Sequence, residues 1–419
     1  MVRRGADGYN RPPSQSARSV PYSIGPMLKL AIPHLWVKRL PWSIPLIAGT
    51  LVVLGWVGLG RCADFNGGGD RFLRQQIVWS LVAAGAMLAA MLPSYRVLSR
   101  WSYGLLVAAL LLLLLAYFFS PINGARRWVR LGPLGFQPSE FAKVAFVLAL
   151  ARYLTDREPR RRPVGVLLPL GMALLPVLVI LRQPDLGTAM LFIPVLFWML
   201  FTAGVRRGEM AWLALLGLSS LPLLWTQMSG EQKSRVAAMF SQAGPGDPTH
   251  AQTYQLRQAK RMMALGRAWG SLWAEPAIED PAAYHLPEAR SDFIFSVLVE
   301  RLGMVGGAVV LGLYGLLVWR GLAIAAATRE PFGRLVASGL TGMSAVQVLV
   351  NTGMTVGLLP VVGLSLPLVS YGGSGLVTQG IVIGLLLNVA VRPGYEVAGE
   401  PFRYEMEPVS AFSLSRKES

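Results

Sequence analysis

An all-α polytopic membrane protein, with ten transmembrane helices and one large extracytoplasmic loop, is the fold class this sequence predicts. Three observations predict it. Hydrophobic residues make up 53% of the 419 and charged residues only 15%, where a soluble domain carries about 25% charged residues. Apolar runs long enough to cross a hydrocarbon core of about 30 Å recur along the chain. Polar residues collect in short connections, in one long segment at 227–290, and at the two ends, 1–41 and 393–419.

The apolar runs fall at 42–60, 76–92, 101–119, 139–154, 164–181, 186–204, 209–226, 292–319, 334–356 and 373–391. Their orientation follows from the Lys and Arg of the short loops. With the N-terminus in the cytoplasm, inside segments carry 23 such residues and short outside segments carry 7. Arg160, Arg161 and Arg162 form the strongest single anchor. Both termini are therefore expected inside, with 227–290 outside and the first span acting as an uncleaved anchor. The formal charge of +17 fits basic loops against an anionic membrane surface. No basic run carries interleaved aromatics on a soluble module, which argues against nucleic acid. The single cysteine, Cys62, and three scattered histidines exclude a disulfide within the chain and a Cys/His metal cage.

The long loop is expected to hold a helix over Tyr254 to Leu265, with Arg257, Lys260 and Arg261 on one face and Leu256, Ala259 and Met263 on another. That pattern predicts an amphipathic helix lying on the outer leaflet, with Arg257 and Lys260 able to meet phosphates.

Chemistry concentrates at the outer ends of the predicted spans. Leu286–Phe295 reads LPEARSDFIF and sets Asp292 at the mouth of a span. An acid there is costly unless used. Ser291 is expected to cap that helix, with Asp292 in its first turn and Glu288 as a rival acid. Glu300, deeper in the run, reads as a structural or partner-contacting charge, with neighbouring Arg301 as its candidate partner. Glu140 and Lys143 sit three apart at the start of the fourth run. A helix start explains Pro138 and Glu140, but an ammonium in an apolar run needs a partner, and Glu140 is placed to supply it. Arg126, Arg127 and Arg130 surround Trp128 in the preceding outside loop, and guanidinium forks match phosphate oxygens. Arg182–Thr188 reads mainly as capping chemistry around Asp185. Residues 351–375 are too rich in Gly and Pro to continue a helix, so a broken segment lining a polar cavity is expected, with Ser370 and Tyr371 as donors.

Taken in order, GARRW (124–128), QPSEFAK (137–143), QPDLGTA (183–189), LPEARSDFIF (286–295), ERLG (300–303), NTGM (351–354) and LPLVSYGGSG (366–375) resemble the SEDS family of peptidoglycan polymerases across residues 40–392. The run LLPVVGLSLPLVSYGGS is more similar to the RodA branch than to FtsW. The resemblance implies a glycosyltransferase that polymerises lipid II into glycan strands at the outer face of the bacterial cytoplasmic membrane during cell elongation. It implies Asp292 as the essential acid and importance for Arg127, Trp128, Glu140 and Lys143. It also implies a class B penicillin-binding protein as partner and a divalent cation, Mg2+ or Mn2+, for which the sequence offers no protein cage. A lipid II flippase is the rival from another class. The chain departs from the family pattern at Gln258-Ala259, at Gly266–Gly270, at Glu300–Gly303 and at Ser291.

Overall fold

The computed structural model describes residues 40–66, 70–121, 126–131, 134–156, 165–227, 230, 233, 251–273 and 284–392. The basic N-terminal segment, the polar tail after 392, Arg160–Arg162 and Gly244–Asp247 lie outside the described residues.

Among the described residues, eleven α-helices follow one another: α1 (Ser43–Asn66), α2 (Arg71–Met91), α3 (Tyr95–Leu115), α4 (Pro138–Asp156), α5 (Leu167–Leu181), α6 (Leu186–Thr202), α7 (Arg207–Gln227), α8 (Ala251–Leu265), α9 (Ile294–Ala327), α10 (Pro331–Val356) and α11 (Gly373–Val391). All but α8 overlap a predicted apolar run. Six of them (α1, α2, α3, α9, α10 and α11) are long and apolar enough to cross a membrane by length and composition. The apolar helices α5 and α6 are shorter. The mainly helical expectation holds, with one addition. A short antiparallel pair, β1 (Val129–Leu131) and β2 (Leu134–Phe136), precedes α4, with Val129 opposite Phe136.

Helix α4 is buried on almost every face, whereas α2 and α3 show Leu81, Leu88, Trp101 and Leu111 to the outside. A helix apolar all round belongs inside a bundle, and one with an apolar outer face in lipid. The α2–α11 contact is the closest of the bundle. A Cβ on Gly380 or Gly384 of α11 would overlap the carbonyls of Ala83 or Met87 on α2. Small residues four apart permit this backbone approach. One turn past Gly384, Asn388 donates to the carbonyls of Ala90, Met91 and Pro93 at 3.0, 3.1 and 2.8 Å, satisfying the end of α2. Glu330 caps α10, accepting from the Phe332 amide at 3.2 Å and from the Gly333 amide, and Pro331 takes the first helical position. Burial pushes the Glu330 carboxyl above its usual range, against the pull of those two amides and of Arg334.

Two expectations are corrected. The predicted span 292–319 is not one straight helix. Gly303, at φ 74° and ψ 179°, breaks α9. A Cβ on Gly307 would lie 2.8 Å from Val299 Cγ2 and 3.6 Å from Phe295 Cζ, although residues 295 and 307 of a straight helix stand about 18 Å apart. The chain therefore folds back at Gly303. Residues 294–300 form a fully buried half-helix, and 304–327 run on as the apolar span. The backbone groups freed at the break are taken by the loop after α8. Ser271 and Leu272 amides donate to the Glu300 and Arg301 carbonyls, both at 2.9 Å. The Met304 and Val305 amides donate to Arg267 and Ala268 carbonyls at 2.9 and 3.2 Å. Irregular backbone at membrane depth requires such protein partners.

The second correction concerns α8. Leu256 and Ala259 of its predicted apolar face are buried together with Met262, Met263 is half-buried, and the helix packs on α9 and α10. That face is occupied by protein, so it is not free to lie on a leaflet. Arg257, Lys260 and Arg261 remain on the exposed side.

Candidate active site

Asp292 stands two residues before the half-helix, in a turn, and not in a first helical turn capped by Ser291. The turn is organised by Glu288, whose φ of 53° points its carbonyl back at the chain. That carbonyl accepts from the amides of Ser291, Asp292 and Phe293 at 3.2, 3.1 and 3.3 Å. Ser291 Oγ is spent on the exposed Glu288 carboxylate at 2.9 Å. Phe293 precedes the helix without a side-chain cap. The Asp292 residue is half-buried.

The far side of the turn is pinned by three donors from the last third of the chain. The Tyr371 amide donates to the Arg290 carbonyl at 2.9 Å. Ser370 Oγ donates to the Ser291 carbonyl. Asn351 Nδ2 donates to the Asp292 carbonyl at 2.9 Å. Three successive carbonyls are thus fixed. Ser370 and Tyr371 belong to the irregular stretch between α10 and α11, as the Gly/Pro density predicts. Their remaining polar contacts lead away from the turn: the Tyr371 hydroxyl donates to Gln75 Oε1 at 2.6 Å, and the Leu366 amide donates to Ser370 Oγ at 2.7 Å.

Asn351 also connects the turn to the Glu140–Lys143 pair. Lys143 is 2% exposed, and its Nζ donates to Glu140 Oε1 at 2.9 Å and to Gln347 Oε1 at 3.1 Å. Gln347 Nε2 donates to the Ser365 carbonyl at 2.9 Å, and Asn351 Nδ2 to the neighbouring Leu364 carbonyl at 2.6 Å. Two buried amides, one turn apart on α10, therefore hold the ion pair at one end and the Asp292 backbone carbonyl at the other. Sequence reasoning gave Asn351 no role of its own and passed over Gln347. Their spacing of four inside an apolar run was the signal available.

Asp185 is buried and collects a second set of partners. It caps α6, accepting from the Thr188 amide at 3.2 Å and the Thr188 hydroxyl at 3.0 Å. It also accepts from Gln137 Nε2 at 3.1 Å and faces Arg127 Nη1 at 3.9 Å. Arg127 is thereby tied to the start of α6, while the exposed Arg126 donates to the Tyr117 carbonyl at 3.2 Å. Trp128 is half-buried beside Gly135 of the β pair. Ser374 accepts from the Gln137 amide at 3.0 Å and donates to the Gly135 carbonyl at 3.3 Å, holding that pair to α11.

Glu300 pairs not with Arg301 but with Arg61 of α1, in a two-pronged contact of 3.0 and 2.8 Å. Glu300 is 1% and Arg61 12% exposed. Among the described residues, no three of His, Cys, Asp and Glu converge so as to hold a metal ion.

Among the described residues, helices long and apolar enough to cross a membrane define the class: an integral membrane protein. Residues 39–393 match the family described as FTSW_RODA_SPOVE, cell cycle protein, and the chain belongs to it. It is 38% identical over 319 residues to the peptidoglycan glycosyltransferase MrdB of Escherichia coli K12, covering 75% of this chain and 83% of that protein. Relatives named as probable FtsW peptidoglycan glycosyltransferases also match. Among solved structures it resembles the rod shape determining protein RodA of Thermus thermophilus (TM-score 0.64, 33% identity, 85% of this chain and 98% of that one). It also resembles a chain of a peptidoglycan synthase complex in which polymerization and crosslinking are coordinated (TM-score 0.72, 34% identity, 84% and 97%).

Proposed function

We propose that this chain is a RodA-type peptidoglycan glycosyltransferase that polymerises lipid II at the outer face of the bacterial cytoplasmic membrane, with Asp292 as general base. The observation that carries the proposal is the fixing of the Arg290, Ser291 and Asp292 carbonyls by three separate donors. A half-buried acid held this firmly is suited to proton transfer, which requires a fixed reach to the reacting hydroxyl. Asp292 takes the proton of the acceptor 4-hydroxyl as its oxygen attacks the donor anomeric carbon. The bond to the prenyl diphosphate breaks, and the diphosphate departs with the electron pair. Attack opposite the leaving group inverts the anomeric centre. Lys143 and Glu140 support the acid through Gln347 and Asn351, while Arg126, Arg127 and Trp128, with Arg257 and Lys260, offer cationic and aromatic contacts to the lipid-linked sugars. Ten spans, both termini in the cytoplasm and 227–290 outside complete the topology, and a class B penicillin-binding protein is the partner. The names and assembly of the relatives support this reading.

The test is polymerisation of fluorescent lipid II by the purified protein with its transpeptidase, resolved on a gel. Loss of a general base costs about 10²–10⁴-fold, so Asp292→Asn should abolish glycan ladders while the protein remains folded and bound to its partner. Ladders at the wild-type rate would remove Asp292 from the mechanism. Lipid translocation without ladders from the unmutated protein would favour a flippase instead.

A further inference from the structure

Two arginines without a part in that reading meet beside Asp292. Arg290 precedes it by two residues, and Arg71 opens α2. The Arg290 guanidinium lies 4.2 Å from the centroid of the Phe72 ring. Phe72 meets Tyr371 edge-on, with centroids 5.3 Å apart and planes at 82°. Tyr371 closes the group from the other side, through its hydroxyl on Gln75 and its amide on the Arg290 carbonyl. Arg71 and Gln75 are four residues apart on α2, so they share a face. Burial raises the Tyr371 hydroxyl's pKa, and the charges of Arg290 and Arg71 both pull against that rise.

These two cations differ from the others near the site. Lys143, Arg127 and Arg61 each end on a carboxylate. Arg71 and Arg290 are exposed, and among the described residues neither forms a carboxylate pair. Stacking on Phe72 uses the face of the Arg290 guanidinium and leaves its N–H edge for a bidentate acceptor. Two such forks match an anion with several oxygens on adjacent phosphorus atoms better than a lone carboxylate.

The geometry points to an Arg71–Arg290 clamp beside the Phe72–Tyr371 pair as the seat of the diphosphate of a prenyl-linked sugar. The inference rests on the reading of Asp292 as the reacting acid and names the group that holds the leaving diphosphate next to it. As the anomeric C–O bond breaks, its electron pair moves onto the diphosphate oxygen. Cations already in place there stabilise the transition state more than the ground state.

Phosphatidylglycerol presents the same phosphate chemistry, so the test separates the two sources. Full-length protein in phosphatidylcholine nanodiscs is titrated with a long-chain prenyl diphosphate, and separately with phosphatidylglycerol. Arg71→Gln and Arg290→Gln should each weaken prenyl diphosphate binding roughly tenfold, a loss in the range of one charged hydrogen bond, and leave phosphatidylglycerol binding unchanged. Arg290→Lys should recover only part of the loss, because an ammonium cannot fork. Binding of prenyl diphosphate within twofold of wild type in both Gln variants would overturn the clamp. A parallel fall in phosphatidylglycerol binding would reduce it to a generic anionic-surface patch. Asp292→Asn should bind prenyl diphosphate normally. If that variant polymerised, the base assignment would fail while the binding result for the arginines stood on its own.

Discussion

The Asp292 segment is supported at two ends, and the two supports are built differently. At the turn, side chains do the holding: Asn351 and Ser370 reach in to single carbonyls, with the Tyr371 amide beside them. At the other end of the half-helix, backbone holds backbone. Residues 267–272 lie across the break at Gly303 and exchange four hydrogen bonds with it. The difference teaches what each end can tolerate. Side-chain donors can be removed one at a time, leaving a local defect. A backbone seam closes only if no Cβ intrudes, so it fails as a whole.

Three substitutions probe that contrast, in order of falling effect. Gly303→Ala puts a Cβ into the Ala268 backbone at a φ of 74°. The conformation alone costs about 1–3 kcal/mol, and the overlap adds to it. The expected result is loss of monodisperse protein on size exclusion; a well-folded variant with an unchanged melting curve would show the seam to be dispensable. Glu300→Gln leaves the nearly buried Arg61 with only the exposed Asp64 at 3.6 Å. Breaking such a pair costs about 3 kcal/mol, read as a clear drop in Tm that Arg61→Leu/Glu300→Leu should partly restore. A double variant less stable than the single would contradict the pair's assignment. Asn351→Ala removes one donor shared by the Asp292 and Leu364 carbonyls. A lost buried hydrogen bond of about 1–3 kcal/mol predicts a fall in polymerisation of roughly ten- to a hundredfold, with little loss of expression. A fall in stability with full activity in the surviving protein would move Asn351 from positioning the acid to packing alone.

The same contrast decides what could be read from residues alone. Polar groups in apolar runs stand out, so Asp292 and the Glu140–Lys143 pair were legible; so was most of the irregular 351–375 stretch, although 351–356 remain in α10 and 373–375 open α11. Ser370 and Tyr371 were legible as donors, though not their targets. The fold-back at Gly303 was not legible, because glycines at 303, 306 and 307 also read as ordinary small residues of a membrane helix. What makes Gly303 a reversal is the loop against it, a contact that leaves no side-chain signature. The amphipathic pattern of α8 was read correctly as two faces, but periodicity cannot say whether lipid or protein covers the apolar one. Glu300 was given its neighbour Arg301 because sequence proximity favoured it, while its partner Arg61 lies 239 positions away.

That separation has a consequence for how the protein is made. Arg61 leaves the ribosome 239 residues ahead of the buried carboxylate that grips it in two prongs. Until then its nearby carboxylate is the exposed Asp64, 3.6 Å away, and a guanidinium so loosely paired is costly in hydrocarbon, so the first span has reason to keep its Arg61 end near the aqueous border while the intervening helices insert. Arrival of Glu300 removes that constraint, and the bundle can then close around a charge that had been waiting since the start of translation.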